Sequence, residues 1–180
     1  MADINKFHDS LSIRTEKGTP MLYAGSIFWL VTGLSYFFIT EDVRFWIYIY
    51  GAGMVFPLGI FVSKLLNIDL FAKDNPLSTI AGLIGAVQLF FIPVLLLLIS
   101  TNQEIIPFVL AILLGAHFLP YMWVYKTKLF VVHSLLVISI ALLSFFLPHG
   151  LLILSMALTL EFFIIGLLLK REVKEIKKVK

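Results

Sequence analysis

Long apolar runs separated by short polar breaks make up most of this chain. An α-helix needs about 17 to 25 apolar residues to cross roughly 30 Å of hydrocarbon, and six runs are of that length. They lie near residues 21–39, 45–63, 77–99, 105–125, 129–147 and 151–170. The pattern therefore predicts an all-α fold, a polytopic membrane helix bundle with six transmembrane helices.

The polar breaks carry the chemistry that starts helices. A side chain that can cap a helix precedes a proline at Thr19-Pro20 and again at Asn75-Pro76, and proline suits the first helical position. Thr101 and Glu104 fit a capping box, in which the two side chains satisfy each other's backbone amides. We therefore expect helices to begin at these three breaks.

Composition agrees with a membrane protein. Of the 180 residues, 60% are hydrophobic and 14% are charged, and the mean hydropathy is +1.00, whereas about half of a soluble domain is apolar. The absence of cysteine excludes disulfides and thiolate metal sites. The net charge of +3 does not come from a basic patch with interleaved aromatic residues, so we expect no nucleic-acid partner.

Basic residues are sorted between the two ends of the runs. A six-span topology places Arg44 alone on one side, and on the other side Lys6, Arg14, Lys17, Lys64, Lys73, Lys126, Lys128, Lys170, Arg171, Lys174, Lys177, Lys178 and Lys180. Loops rich in lysine and arginine stay in the cytosol. The sorting therefore predicts cytosolic N and C termini.

Three segments follow from this topology. Residues 1–20 form a cytosolic N-terminal segment, in which Ile4, Phe7 and Leu11 recur at helical spacing. That spacing suits a short helix on the lipid headgroups, and a frayed tail is the alternative. Residues 21–170 form the six-helix transmembrane domain, and residues 171–180 form a basic cytosolic tail.

Glu161 is the only acidic residue inside any of the six runs and lies at the middle of the last one. A charge at the centre of a bilayer costs at least about 2.5 to 3.5 kcal/mol and therefore needs a reason. As a functional group, Glu161 would carry a proton or pair with an amine on a substrate. The alternative is a structural hydrogen bond between helices.

Four further polar residues lie at membrane depth. His117 and Tyr121 are one helical turn apart in the fourth run, Gln88 is central in the third, and His133 is in the fifth. Together with Glu161 they form the predicted midplane site for a substrate or a proton. For Gln88 a packing hydrogen bond is the stronger alternative, because small residues share its helical face.

The sequence does not supply the combinations of residues that catalysis or metal binding would need. His117 and His133 could meet Glu161, but His149 belongs to the opposite surface and could not join them, and this spacing argues against a zinc site. Neither a Ser-His-Asp arrangement nor a glycine-rich phosphate loop can be assembled at one depth. We therefore expect no catalytic residue, no metal and no cofactor, and we hold an enzyme as less expected than a non-catalytic protein.

One stretch carries a family resemblance. At the residues GAHFLPYMWVYK, with PLG at 57–59, the chain resembles small bacterial multi-span membrane proteins of unassigned activity. The resemblance covers one span and implies a multi-pass protein of the bacterial inner (plasma) membrane. It supplies no substrate, cofactor or catalytic residue.

Function follows from the polar site. The leading hypothesis is the binding or transport of a small solute, cationic or proton-coupled, with the lipid bilayer as the other partner. The first alternative is a non-catalytic membrane interaction or assembly protein, in which the small-residue faces and Glu161 hold a partner helix or a homo-oligomer together. An intramembrane enzyme is the third.

Overall fold

The computed structural model describes residues 2–179 and the side chains of all of these except positions 2, 3, 42 and 179. Lys180, placed above among the cytosolic residues, lies outside the described residues. Over the described chain the helices are α1 (Ala2–Arg14), α2 (Glu16–Phe38), α3 (Glu41–Leu65), α4 (Pro76–Thr101), α5 (Gln103–Val124), α6 (Leu129–Phe145) and α7 (Gly150–Val179). The predicted all-α fold is confirmed.

Helix length and composition indicate a multi-pass membrane protein. Five helices, α2, α3, α4, α5 and α7, are long and apolar enough to cross a membrane. The apolar helix α6 has 17 residues and is shorter than these five. Helix α7 runs on without a break through residues 171–179. The total of six spans stays a prediction.

Two of the long helices are interrupted. In α4 the turn Val87–Phe90 is a 3-10 helix. In α5 the regular helix Ile106–Phe118 is followed by a turn at Leu119 and Pro120 and then by Tyr121–Val124. Proline lacks the N–H that a continuous helix needs, so the regular hydrogen bonding of α5 is interrupted one turn after His117.

The three predicted helix starts have different outcomes. The Asn75 side chain accepts a hydrogen bond from the amide of Leu77 at 3.0 Å, so this cap is confirmed. The α-helical part of α2 begins at Thr19 with Pro20 in its first turn, after the 3-10 turn Glu16–Gly18, so the helix start is confirmed. The predicted side-chain cap is wrong, because the Thr19 hydroxyl makes no cap hydrogen bond. The capping box is also wrong: the hydroxyl of Thr101 donates to the Leu97 carbonyl within α4.

The helices pack as antiparallel neighbours. Lys17 at the start of α2 bonds Glu172 near the end of α7, and Tyr36 near the end of α2 bonds His149, just before α7. Helix α6 is also antiparallel to α5. The start of α6 contacts the end of α5, and the end of α6 contacts the start of α5. The order of neighbours is α3, α2, α7, α6, α5 and α4.

This alternation gathers the basic residues at one end. The starts of α2, α4 and α6 lie beside the ends of α3, α5 and α7, and the described lysines of these segments cluster there. We call this the basic end and the other the Arg44 end. Both described chain ends lie at the basic end.

Helix α1 lies across the basic end. Leu11 is fully buried, and the His8 ring lies 2.8 Å, Nδ1 to oxygen, from the Val124 carbonyl of α5. The side-chain amide of Asn75 donates a hydrogen bond to the Phe7 carbonyl at 2.8 Å. These contacts make α1 part of the folded bundle, and its contact with lipid headgroups stays a prediction.

Candidate functional site

A histidine and a glutamate meet inside the bundle where α6 packs on α7. The Nδ1 atom of His133 lies 2.8 Å from Oε1 and 2.9 Å from Oε2 of Glu161, so its N–H donates to both carboxylate oxygens. His133 is fully buried and Glu161 is 7% exposed. Neither α6 nor residues 150–169 of α7 contains another Asp, Glu, Lys or Arg. The two residues therefore depend on each other for electrostatic compensation.

Aromatic rings enclose this pair. The ring centroid of His133 is 4.4 Å from that of Phe118 on α5 and 4.7 Å from that of Phe162 on α7, both edge-on. Phe118 and Phe162 also contact each other. A water-poor, aromatic surrounding strengthens the interaction between His133 and Glu161 and raises the cost of separating them.

The second nitrogen of the histidine is free. Among the described residues, the buried Nε2 of His133 has no hydrogen-bond partner. A buried polar atom without a partner costs free energy and requires an explanation. Since Nδ1 faces the carboxylate, Nε2 is the ring nitrogen that remains open to a further partner.

The structure places His117 near this pair but not in it. His117 is 7% exposed, and its ring contacts those of Phe118 and Tyr121. Its Nδ1 atom is buried without a partner in the described part of the chain. Phe118 contacts both His117 and His133, so one ring connects the two histidines.

Tyr121 belongs to the same aromatic cluster as His117 and Phe118, whereas Gln88 lies apart from it. The Tyr121 hydroxyl donates to the Ala81 carbonyl of α4 at 3.0 Å and thereby joins α5 to α4. Gln88 is half-buried in the 3-10 turn of α4, and no described hydrogen bond connects it to Glu161. Of the five residues of the predicted site, His133 and Glu161 form a close pair, His117 and Tyr121 are one ring away from it through Phe118, and Gln88 is more distant.

No metal-binding group accompanies the pair. Over residues 2–179, no three His, Asp or Glu side chains are placed so that they could hold one ion. The pair itself offers one imidazole and one carboxylate. The role of this pair as a substrate or proton site stays a prediction.

A second buried polar cluster was not predicted as a site. The hydroxyl groups of Tyr48 on α3 and Ser155 on α7 are 3.2 Å apart, and Thr32 on α2 donates to Ser155 at 3.4 Å. All three residues are at most 1% exposed. Hydroxyl residues inside apolar runs were the available sequence signal, but their helical faces could not be matched without the packing.

The surroundings of Arg44 account for the presence of a basic residue at this end of the bundle. It is 8% exposed, and its Nη2 donates to the Ile39 carbonyl at 2.9 Å, at the end of α2. Its Cζ lies 4.8 Å from the centroid of the Tyr36 ring. Carbonyl groups at a helix end and an aromatic face both attract a cation. The one basic residue at this end is thus held inside the protein.

Comparisons with known proteins give one match. The family model described as "Family of unknown function (DUF7010)" matches residues 4–172. No curated protein and no solved structure matches the chain. An unassigned activity agrees with the resemblance drawn from the sequence, and the bacterial inner membrane stays a prediction.

Proposed function

The chain belongs to the DUF7010 family of unknown function, and on that premise we propose its role from its own residues. It is a six-span membrane protein with both termini in the cytosol. It binds or transports a small protonatable solute, and His133 with Glu161 is its proton site. The buried pair with a free Nε2 atom is the observation that carries the proposal.

The helix directions support the topology. The six helices α2 to α7 alternate in direction. If one of them did not cross the membrane, the direction of the next helix would not fit this alternation. Helix α6, at about 1.5 Å per residue, is about 25 Å long and falls near the lower limit for a span. The positive-inside rule then puts the basic end, with Lys64 and Lys126, in the cytosol.

Proton binding would change the charge of the pair in two steps. A proton on Nε2 of His133 gives an imidazolium beside the Glu161 carboxylate, and the ion pair stabilises both charges. A second proton, on the carboxylate, removes that attraction and leaves the imidazolium buried without a counter-ion, which is costly. The seam between α6 and α7 is therefore the part of the bundle that responds to protonation.

A solute amine can compete with the proton for the carboxylate. One cavity at each end of the bundle is described, and His133 and Glu161 line neither of them. Because the rings of Phe118 and Phe162 pack against the buried His133, movement of these rings would open access to the pair. Movement of the solute is coupled to movement of the proton if the two bind Glu161 alternately.

Proton flux tests this function. Wild type and Glu161→Gln are reconstituted in vesicles that contain a pH-sensitive dye, and a panel of small amines is added under an imposed gradient. We expect amine-dependent proton flux in wild type, loss of it in Glu161→Gln, and normal flux in Glu175→Gln, an exposed control near the basic end. Normal flux in Glu161→Gln ends the proposal.

An assembly role is the second candidate, and the outer helices favour it. Only 11% of the apolar window is buried in α3 and in α4, against 50% in α2. Gly53 and Gly82 on these helices have open space beside them, which allows a second helix to approach closely. Native mass spectrometry of wild type and Gly82→Leu tests this role. A dimer lost in the variant supports it, and a monomeric wild type opposes it.

A further inference from the structure

We infer that the Arg44 end of the bundle contains a binding site for a small zwitterion, a molecule with an anionic oxygen group and a protonated amine. The site is separate from the pair of His133 and Glu161 and goes beyond the proposed proton chemistry. It rests on a cavity, on a buried guanidinium that has no counter-ion among the described side chains, and on two carboxylates at the edge of that cavity.

The cavity has about 540 Å³ of space and lies between the start of α3, the turn from α4 to α5 and the start of α7. Its size is within the range of about 300 to 1,000 Å³ that small-molecule sites occupy. Its lining includes Glu41, Arg44, Phe45, Glu104 and Phe108.

Arg44 supplies the anion-binding part. Two backbone carbonyls, those of Ile39 and Tyr36, accept from its Nη2 at 2.9 and 3.4 Å. Its buried Nε has no partner, and no described carboxylate forms an ion pair with it. A charge that is more than nine-tenths buried needs more compensation than these two carbonyls and the face of the Tyr36 ring provide. A carboxylate or phosphate group fits, because guanidinium binds such groups through two parallel hydrogen bonds.

Glu41 and Glu104 supply the cation-binding part. Both side chains are exposed and both line the cavity, one from α3 and one from α5. A simple anion at Arg44 would be repelled by these carboxylates, and a simple cation would be repelled by Arg44. A zwitterion satisfies both signs of charge, and its carbon skeleton can contact Phe45 and Phe108.

Two sources can present this chemistry. One is a free small zwitterion such as an amino acid, and the other is the phosphoethanolamine headgroup of a lipid. The cavity lies at the end of the bundle and not at its middle, so both can reach it without opening the helix seams.

Binding to the detergent-purified full chain tests the inference. The soluble probes are glycine, phosphoethanolamine, acetate and glycine methyl ester, measured by isothermal titration calorimetry. The lipid probe is phosphatidylethanolamine, measured by native mass spectrometry. We expect saturable binding of glycine, of phosphoethanolamine or of the lipid, with acetate and the methyl ester at least tenfold weaker than the best soluble zwitterion. Binding of the lipid alone identifies the headgroup as the source.

Variants assign the site. We expect Arg44→Gln and Glu104→Gln each to weaken binding at least tenfold, and Glu175→Gln at the basic end to leave it unchanged. If Arg44→Gln does not fold, Glu104→Gln decides, because Glu104 is exposed. No binding of any zwitterion, equal binding of acetate, or wild-type affinity in Glu104→Gln overturns the inference. Glu161→Gln should bind normally, so a failed flux experiment and a failed binding experiment are distinct results.

Discussion

His133 and Glu161 are 28 positions apart in the chain, yet the imidazole of one donates to the carboxylate of the other at 2.8 Å inside the bundle. Each group supplies what the other needs in a water-poor environment. Removing one partner of such a buried pair leaves the other uncompensated, whereas replacing both by apolar groups removes the problem.

The first prediction concerns the stability of this pair. Glu161→Ala should lower the free energy of unfolding by about 3 kcal/mol or more, and the double variant His133→Leu, Glu161→Leu should recover most of that loss. The measurement is reversible unfolding in mixed micelles. Glu175→Ala, an exposed control, should change stability by less than about 0.5 kcal/mol. Equal losses in the single and the double variant would contradict a coupled pair.

The sequence predicted the helices that carry the polar residues but not the directions of their side chains. Apolar run lengths located the helices, and Glu161 was identified because it is the only acid within a run. The choice between His117 and His133 as its partner depends on how α5, α6 and α7 are rotated about their axes. That rotation follows from contacts between distant residues, such as those of Phe118 and Phe162 around His133, which the spacing along one helix does not contain.

The burial of Arg44 could not be predicted from the sequence, for the same reason. Charge counting identified it as the one basic residue on its side, which fits the positive-inside rule. Its carbonyl partners come from the end of α2, and only the packing of α2 on α3 brings them together.

The second prediction tests the close contact between α2 and α7. A Cβ atom at Gly25 would lie 2.6 Å from ring atoms of Phe162, so Gly25→Ala forces the ring or the helix to move. We expect a loss of about 1 to 3 kcal/mol in the free energy of unfolding. Gly53→Ala is the matched control, because nothing lies within 4 Å of its added Cβ, and it should be neutral or stabilising by up to about 1 kcal/mol. Similar effects of both changes would refute the close packing.

The third prediction is a pH dependence at the basic end. The guanidinium of Arg14 contacts Asp69 at 2.5 Å and Asp74 at 2.6 Å, and hydrogen bonds from Arg14 hold the pKa of both carboxyls below the usual range. Such groups contribute stability that is present above their ordinary pKa of about 4 and is lost as the pH falls through the lowered values. Stability should therefore decline below about pH 4.

Thermal midpoints at pH 5 and pH 3 measure this effect. The midpoint of wild type should fall more between the two pH values than that of Arg14→Gln, which has no cation for the two carboxylates. Arg171→Gln is the control, because Arg171 has a single exposed partner at 3.9 Å, and its midpoint should change with pH as in wild type. An equal decline in wild type and Arg14→Gln would show that other groups cause it.

The fourth prediction concerns the attachment of α4, the outermost helix of the row. Its residue Ala81 accepts a hydrogen bond from the Tyr121 hydroxyl at 3.0 Å, whereas most of the apolar surface of α4 is uncovered. Tyr121→Phe keeps the ring and removes the hydroxyl, so it should cost about 1 kcal/mol and increase amide exchange in α4 near Ala81. Tyr50→Phe, at an exposed position of α3, should change neither quantity. Unchanged exchange in Tyr121→Phe would mean that side-chain packing alone, such as that of Leu77 and Phe91, holds α4 in place.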